Sequence, residues 1–155
     1  MNSPTTPQNH KALPPVIIVD DQEVETELAV RFYEKSRLKN PLITMRTGEA
    51  LLDYLDSVNE EKSRMPAMVF LDIRMPELSG LDVLESIRKR PENMFEPPIH
   101  FLTHEFSSAI EERAYEMGAD GFMNKPLERG GFIKFFNSLA KTLDKANDYL
   151  MKPLA

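Results

Sequence analysis

The 155-residue chain has no cysteine and no tryptophan, only six glycines, and no long hydrophobic run. Without cysteine there is no disulfide framework and no thiolate zinc site. The three histidines, His10, His100 and His104, lack the spacing of a metal-ligating set, so a structural zinc is not expected. The longest clean aliphatic run, Val16 to Val19, falls far short of the ~20 residues that a membrane-spanning helix needs. The opening "MNSPTTPQNHKALPP" is polar and proline-rich and lacks the apolar core of a signal peptide. Residues 1–14 are therefore expected to be a flexible tail, and a cytoplasmic protein is expected. Positive charge is also scarce. Net charge is −6, with 14 Lys/Arg against 22 Asp/Glu in residues 1–127 and five against three in residues 128–155. Such an acidic body argues against a dedicated nucleic-acid binder, which would need a basic face to neutralise phosphates.

What the chain does have is alternation. Five short apolar runs, "VIIV" (16–19), "LITM" (42–45), "AMVFL" (67–71), "IHFLT" (99–103) and "GFMN" (121–124), are separated by stretches of helical periodicity. The middle three runs read as strands buried on both faces, as parallel strands are. The first helix is expected over about 23–36, with Val24, Leu28 and Phe32 on one stripe and acids in its first turn. The second follows Thr47-Gly48 and turns Leu51, Leu52, Leu55 and Val58 inward. A third carries Leu81, Leu84 and Ile87. The fourth starts at a capping box of Ser108 with Glu111 and ends at Gly118. The fifth, with Phe132, Phe136, Leu139, Leu143 and Leu150, reads as one long helix.

Strand and helix alternating through short connections imply an α/β fold. The expected form is a five-stranded parallel sheet with helices on both faces, (βα)5, flavodoxin-like and doubly wound, occupying residues 15–152. Ligands in such folds sit beyond the carboxyl ends of the strands. There the sequence places Asp20 and Asp21 after the first strand, Asp72 after the third, Thr103 on the fourth and Lys125 after the fifth. Taken singly each has a plain explanation: a helix N-terminus for the acid pair, a turn for Asp72 before Met-Pro, a surface lysine. Together they form a site. Clustered carboxylates repel and need a cation to stay ionised, and a hard divalent ion such as Mg²⁺ suits oxygen ligands near phosphate. A carboxylate beside such an ion is a competent nucleophile toward phosphorus. Phosphoryl transfer otherwise asks for positioning and charge neutralisation, which Lys125 and Thr103 can supply.

Four motifs in order, "VDD", "LDIRMPELSG", "FLTHE" and "GADGFMNKP", make the chain resemble the receiver domains of bacterial response regulators, the phosphoacceptor half of two-component signalling. The resemblance implies that Asp72 is the phosphoacceptor. It implies Mg²⁺ (or Mn²⁺) held by Asp20, Asp21, Asp72 and the backbone carbonyl of Arg74. Thr103 matches the switch hydroxyl, Lys125 the phosphate-binding lysine and Phe122 the aromatic switch. Pro126 falls where a cis bond is usual. The expected partners are a sensor histidine kinase and a downstream target protein or histidine phosphotransfer domain. The latter would dock on the face made by helix four, strand five and helix five, with no nucleic acid and no membrane insertion.

Two positions depart from the pattern. A small residue usually follows the switch threonine, and here it is His104. Arg74 and Glu105, each two residues past a site residue, border the path of hydrolytic water in the family. The two are expected to pair over the acyl phosphate and slow its loss. With little chain after Lys125, the expectation is a stand-alone phosphorylated signalling switch rather than a turnover enzyme. A relay that passes its phosphate on, and a receiver cut from a longer regulator, are the alternatives. Aspartate-nucleophile phosphatases share the acyl-phosphate chemistry but need a second acid two residues after the nucleophile, where this chain has Arg74.

Overall fold

The computed structural model describes residues 12–90, 96–104, 107–125 and 128–152. Strands β1 (Val16–Val19), β2 (Leu42–Met45), β3 (Met68–Leu71), β4 (Ile99–Thr103) and β5 (Gly121–Asn124) alternate with helices α1 (Glu23–Glu34), α2 (Gly48–Asn59), α3 (Gly80–Arg88) and α4 (Ser108–Glu116). Helices α5 (Arg129–Ser138) and α6 (Ala140–Leu150) follow. The strands form one sheet in the order β2-β1-β3-β4-β5, and every pairing is parallel. The expected doubly wound sheet is what forms.

The sheet separates two cores. On one face Leu51 and Leu55 of α2, Val83, Leu84 and Ile87 of α3 and Ala114 of α4 pack on Ile17, Val69 and Phe101. On the other, Ala29 and Tyr33 of α1, Phe132 and Phe136 of α5 and Leu143 and Ala146 of α6 cover Ile18, Phe70 and Leu102. Burying each such large side chain contributes ~1.5–3 kcal/mol. Phe136 is the hub of the second core, with the rings of Tyr33 and Phe70 meeting it edge-on at 5.4 Å and 5.3 Å.

Four expectations are corrected. "LITM" is not a doubly buried strand: β2 lies at the sheet edge and is half-exposed, while β1 takes a fully buried place between β2 and β3. Of the expected α1 stripe Val24–Leu28–Phe32, only Phe32 packs on the core, its ring 5.4 Å from that of Phe132. Val24 is 68% and Leu28 41% exposed, whereas Ala29 and Tyr33 are buried. Small Ala29 lets α1 approach closely, and the Tyr33 hydroxyl donates to the Asn40 carbonyl at 2.9 Å. The cap of α4 is Ser107, whose hydroxyl accepts from the Ile110 amide, and the capping box belongs instead to α3, between Ser79 and Asp82. The single long last helix is two helices meeting at Leu139, where Asn137 is held by the Arg37 amide at 2.7 Å.

The last helix returns onto the body through an amide pair. Asn147 and Asn40, 107 residues apart, exchange two hydrogen bonds of 2.6 Å and 3.2 Å, and Asn40 also donates to the Pro14 carbonyl. Arg64 donates to the Ala12 carbonyl at 2.6 Å, so the chain is already tied down at residues 12–14. Among the described residues no helix is long and apolar enough to cross a membrane.

Candidate functional site

The parallel register carries the polar residues to one edge. Val19 is level with Leu71, so Asp20 and Asp72 leave their strands side by side, and the Asp72 amide still donates to the Val19 carbonyl at 3.1 Å. Thr103 ends β4, and the Lys125 amide donates to its carbonyl at 2.9 Å. Asp20, Asp72, Thr103 and Lys125 are all buried. After Asp72 the chain turns through Met75-Pro76 and is closed by the Gly80 amide donating to the Ile73 carbonyl at 2.8 Å. Gly80 has no alternative there: a Cβ would stand 2.3 Å from the Asp72 carbonyl oxygen and 2.9 Å from the Ile73 Cα. The glycine of "LDIRMPELSG" is thus the place where α3 begins against the loop that presents Asp72.

At the centre is the Lys125 ammonium. It donates to Asp20 Oδ2 at 2.5 Å, to Glu25 Oε1, and to Asp72 Oδ2 at 3.3 Å. Burial disfavours the ammonium, but the bonds to Asp20 and Glu25 and the charges of Asp72 and Asp20 outweigh it and raise its pKa. The lysine is therefore a fixed cation at neutral pH. Asp72 differs. Burial pushes its carboxyl above the ordinary range, and the charge of Asp20 adds to this, while Lys125 and a Thr103 hydrogen bond offset only part. A cleft of about 330 Å³ opens over Asp72, lined by Gln22, Glu25, Arg74, Thr103 and His104.

Glu25 is the member that the sequence reading missed. Its Oε2 lies 2.8 Å from His104 Nε2 while Oε1 faces Lys125. Burial pushes its carboxyl up, but Lys125 and then His104 more than reverse this, and the net pKa is lowered. The available signal was helical spacing: residue 25 stands four before Ala29 and eight before Tyr33, the true inward face of α1. A reading led by Val24 and Leu28 turned that face outward.

Carboxylate oxygens of Asp20, Glu25 and Asp72 lie within 4.8 Å of one another. That convergence surrounds the Lys125 ammonium. Asp21, also expected to bind metal, is outside this group, and its Oδ1 is buried with no hydrogen-bond partner among the described residues. Three converging carboxylates, with the unpaired Asp21 oxygen one residue along the chain from Asp20, are the all-oxygen donor set that a hard divalent ion takes, so the residues present fit Mg²⁺ or Mn²⁺. Phe122 is half-buried on β5, its ring centroid 6.3 Å from that of Phe101. Arg74 is exposed at the cleft. Glu105 and Pro126 lie outside the described residues, and with them the expected Arg74–Glu105 pair and the expected cis bond. His100, read from sequence as a satisfied structural histidine, is corrected: its Nε2 is buried without a hydrogen-bond partner among the described residues.

Residues 16–137 match the family described as "Response regulator receiver domain". The chain is 30% identical over 134 residues to the probable methanogenesis regulatory protein FilR2 of Methanothrix harundinacea, covering 86% of this chain and 81% of that protein. It is 30% identical over 123 residues to the polar-differentiation response regulator DivK of Brucella ovis, covering 79% and 93%. Among solved structures, the Mn(2+)-bound form of response regulator Rcp1 superposes with a TM-score of 0.70 at 22% identity, over 83% of this chain and 92% of that one.

Proposed function

The chain belongs to the response regulator receiver family, and from that premise we propose that it is a phosphorylation switch with Asp72 as phosphoacceptor. The single observation that carries the reading is a buried carboxylate at a strand end, 3.3 Å from a buried ammonium and facing an open cleft. An Asp72 oxygen forms a bond to phosphorus as the P–N bond of a kinase phosphohistidine breaks. The electron pair stays on the imidazole nitrogen. Asp20, Asp21, Asp72 and the Arg74 carbonyl would hold Mg²⁺ or Mn²⁺, which would offset the charge of the transferring group. A Mn²⁺-bound structural neighbour supports that ligand class. Lys125 and Thr103 grip the phosphoryl oxygens, and Phe122 follows Thr103 inward. The face of α4, β5 and α5 then changes its affinity for a target protein. The receiver spans residues 15–152 of a cytoplasmic protein that modifies only itself.

Intact mass after incubation with acetyl phosphate and Mg²⁺ tests this. One phosphoryl group is expected on the wild type, none on Asp72→Asn and none with EDTA. Modification of Asp72→Asn, or continuous phosphate release from a phosphomonoester, would sink the assignment. Retransfer of the phosphate to a histidine phosphotransfer domain would mark a relay rather than a terminal switch.

A further inference from the structure

An ammonium has three protons to donate. In this protein all three are spent, on Asp20, Glu25 and Asp72. A phosphoryl oxygen can bond Lys125 only by replacing one of those acceptors. Asp72 becomes the phosphorylated group itself. Asp20 is almost wholly buried at the end of β1, and its other oxygen accepts the Gln22 amide at 2.9 Å. Glu25 is the one able to yield. Its side chain is 30% exposed on the cleft wall, and its second oxygen already has a partner in His104. Released from Lys125, it stays anchored at the mouth of the cleft through which a donor reaches Asp72. The histidine that departs from the family pattern thus keeps this carboxylate in place.

We propose that Glu25 is a positioning residue for phosphorylation: its carboxylate clamps Lys125 in the unphosphorylated protein and opposes anionic phosphodonors at the cleft mouth. The proposal rests on Asp72 being the phosphoacceptor and adds what governs entry to that site. The clamp has two consequences. Lys125 is preorganised close to where the phosphoryl oxygens arrive, but a donor must compete for it. The donor also meets a fixed negative charge whose effect grows with the donor's own charge.

The test compares wild type, Glu25→Gln and Glu25→Asp at saturating Mg²⁺, following mass gain with dianionic acetyl phosphate and monoanionic phosphoramidate. In each reaction the Asp72 oxygen bonds phosphorus as the bond to the leaving acetate or ammonia breaks with its electron pair; ammonia departs from a nitrogen that already carries its protons. Glu25→Gln keeps the shape and removes the charge. It should lower the half-saturating acetyl phosphate concentration roughly three- to tenfold, and that of phosphoramidate by less. Glu25→Asp, which keeps the charge, should stay within about twofold of wild type. A side chain with a merely structural role would change the maximal rate and treat both donors alike. Unchanged half-saturation in Glu25→Gln, equal gains with the two donors, or Glu25→Asp behaving as Glu25→Gln would each overturn the clamp. Failure of the wild type to gain mass with either donor would instead overturn the Asp72 reading beneath it.

Discussion

The Lys125 ammonium lies 3.3 Å from Oδ2 of Asp72, and both side chains are more than nine-tenths buried. The two residues are 53 apart in the chain and meet because β3 and β5 flank β4 in parallel and end at the same edge. Burial, with the charge of Asp20 added, pushes the Asp72 carboxyl up, and one cation shared among three acids offsets only part of this. A raised carboxyl stabilises the fold below the unfolded value of 3.8 and loses that contribution as pH rises through the folded pKa. At neutral pH the ionised Asp72 is therefore a cost to folding.

Asp72→Asn should accordingly melt higher than the wild type at pH 7 without metal. The gap should close on adding Mg²⁺ to the wild type, and again on lowering the pH toward 4. Calorimetry checks this, and a lower-melting Asp72→Asn would contradict it.

The orphaned oxygen of Asp21 should mark a metal contact. Asp21→Asn should lower Mg²⁺ affinity by at least about tenfold, the loss typical even of outer-shell partners of metal sites. Titration calorimetry reads the affinity directly. An unchanged Mg²⁺ isotherm would remove Asp21 from the ligand set.

Gly80→Ala should damage fold and site together. The added methyl meets backbone atoms of Asp72 and Ile73, which cannot swing aside as a side chain can. A cost of ~1–3 kcal/mol is expected from overpacking, with slower phosphorylation because the displaced loop carries Asp72. Urea unfolding and mass-gain kinetics on one preparation test both halves.

His100 should make stability pH-dependent near neutrality. Burial lowers its pKa below 6.5, with Asp120 opposing in part. A histidine held neutral contributes stability above the unfolded pKa and loses it as pH falls through the folded value. Stability should therefore decline below about pH 6.5. His100→Leu should flatten that decline and, by removing an unpartnered buried nitrogen, stabilise by ~1 kcal/mol. Urea midpoints at pH 7.5 and 5.5 decide it.

Asn147→Ala should cost roughly 1–3 kcal/mol, because it removes both hydrogen bonds of the pair and leaves the buried Asn40 amide only its bond to Pro14. In a double-mutant cycle Asn40→Ala should add less than its own single cost. Additive costs would mean that the pair does not act as a unit.

The five strands were legible because each is a short apolar run, and a parallel sheet buried under helices needs little more. Asp20, Asp21, Asp72, Thr103 and Lys125 could be named because strand ends can be counted along a chain. Glu25 could not. In sequence it is one of two acids in the first turn of a helix, and its role depends on which side of α1 faces the sheet. That was settled by the phenylalanines of α5: Phe132 lies 5.4 Å from Phe32, and Phe136 lies 5.4 Å from Tyr33, between ring centroids. Aliphatic Val24 and Leu28 argued for the other side and were left in solvent.

By itself the sequence determined the order of strands and helices, the parallel sheet and the acids at its edge, since alternation and strand-end position are one-dimensional properties. The break at Leu139, the union of Asn40 with Asn147, the edge position of β2 and the sharing of Lys125 among three carboxylates were decided only in three dimensions. Each depends on groups distant in the chain competing for the same neighbour, and packing and charge settle such competition once the sheet has closed.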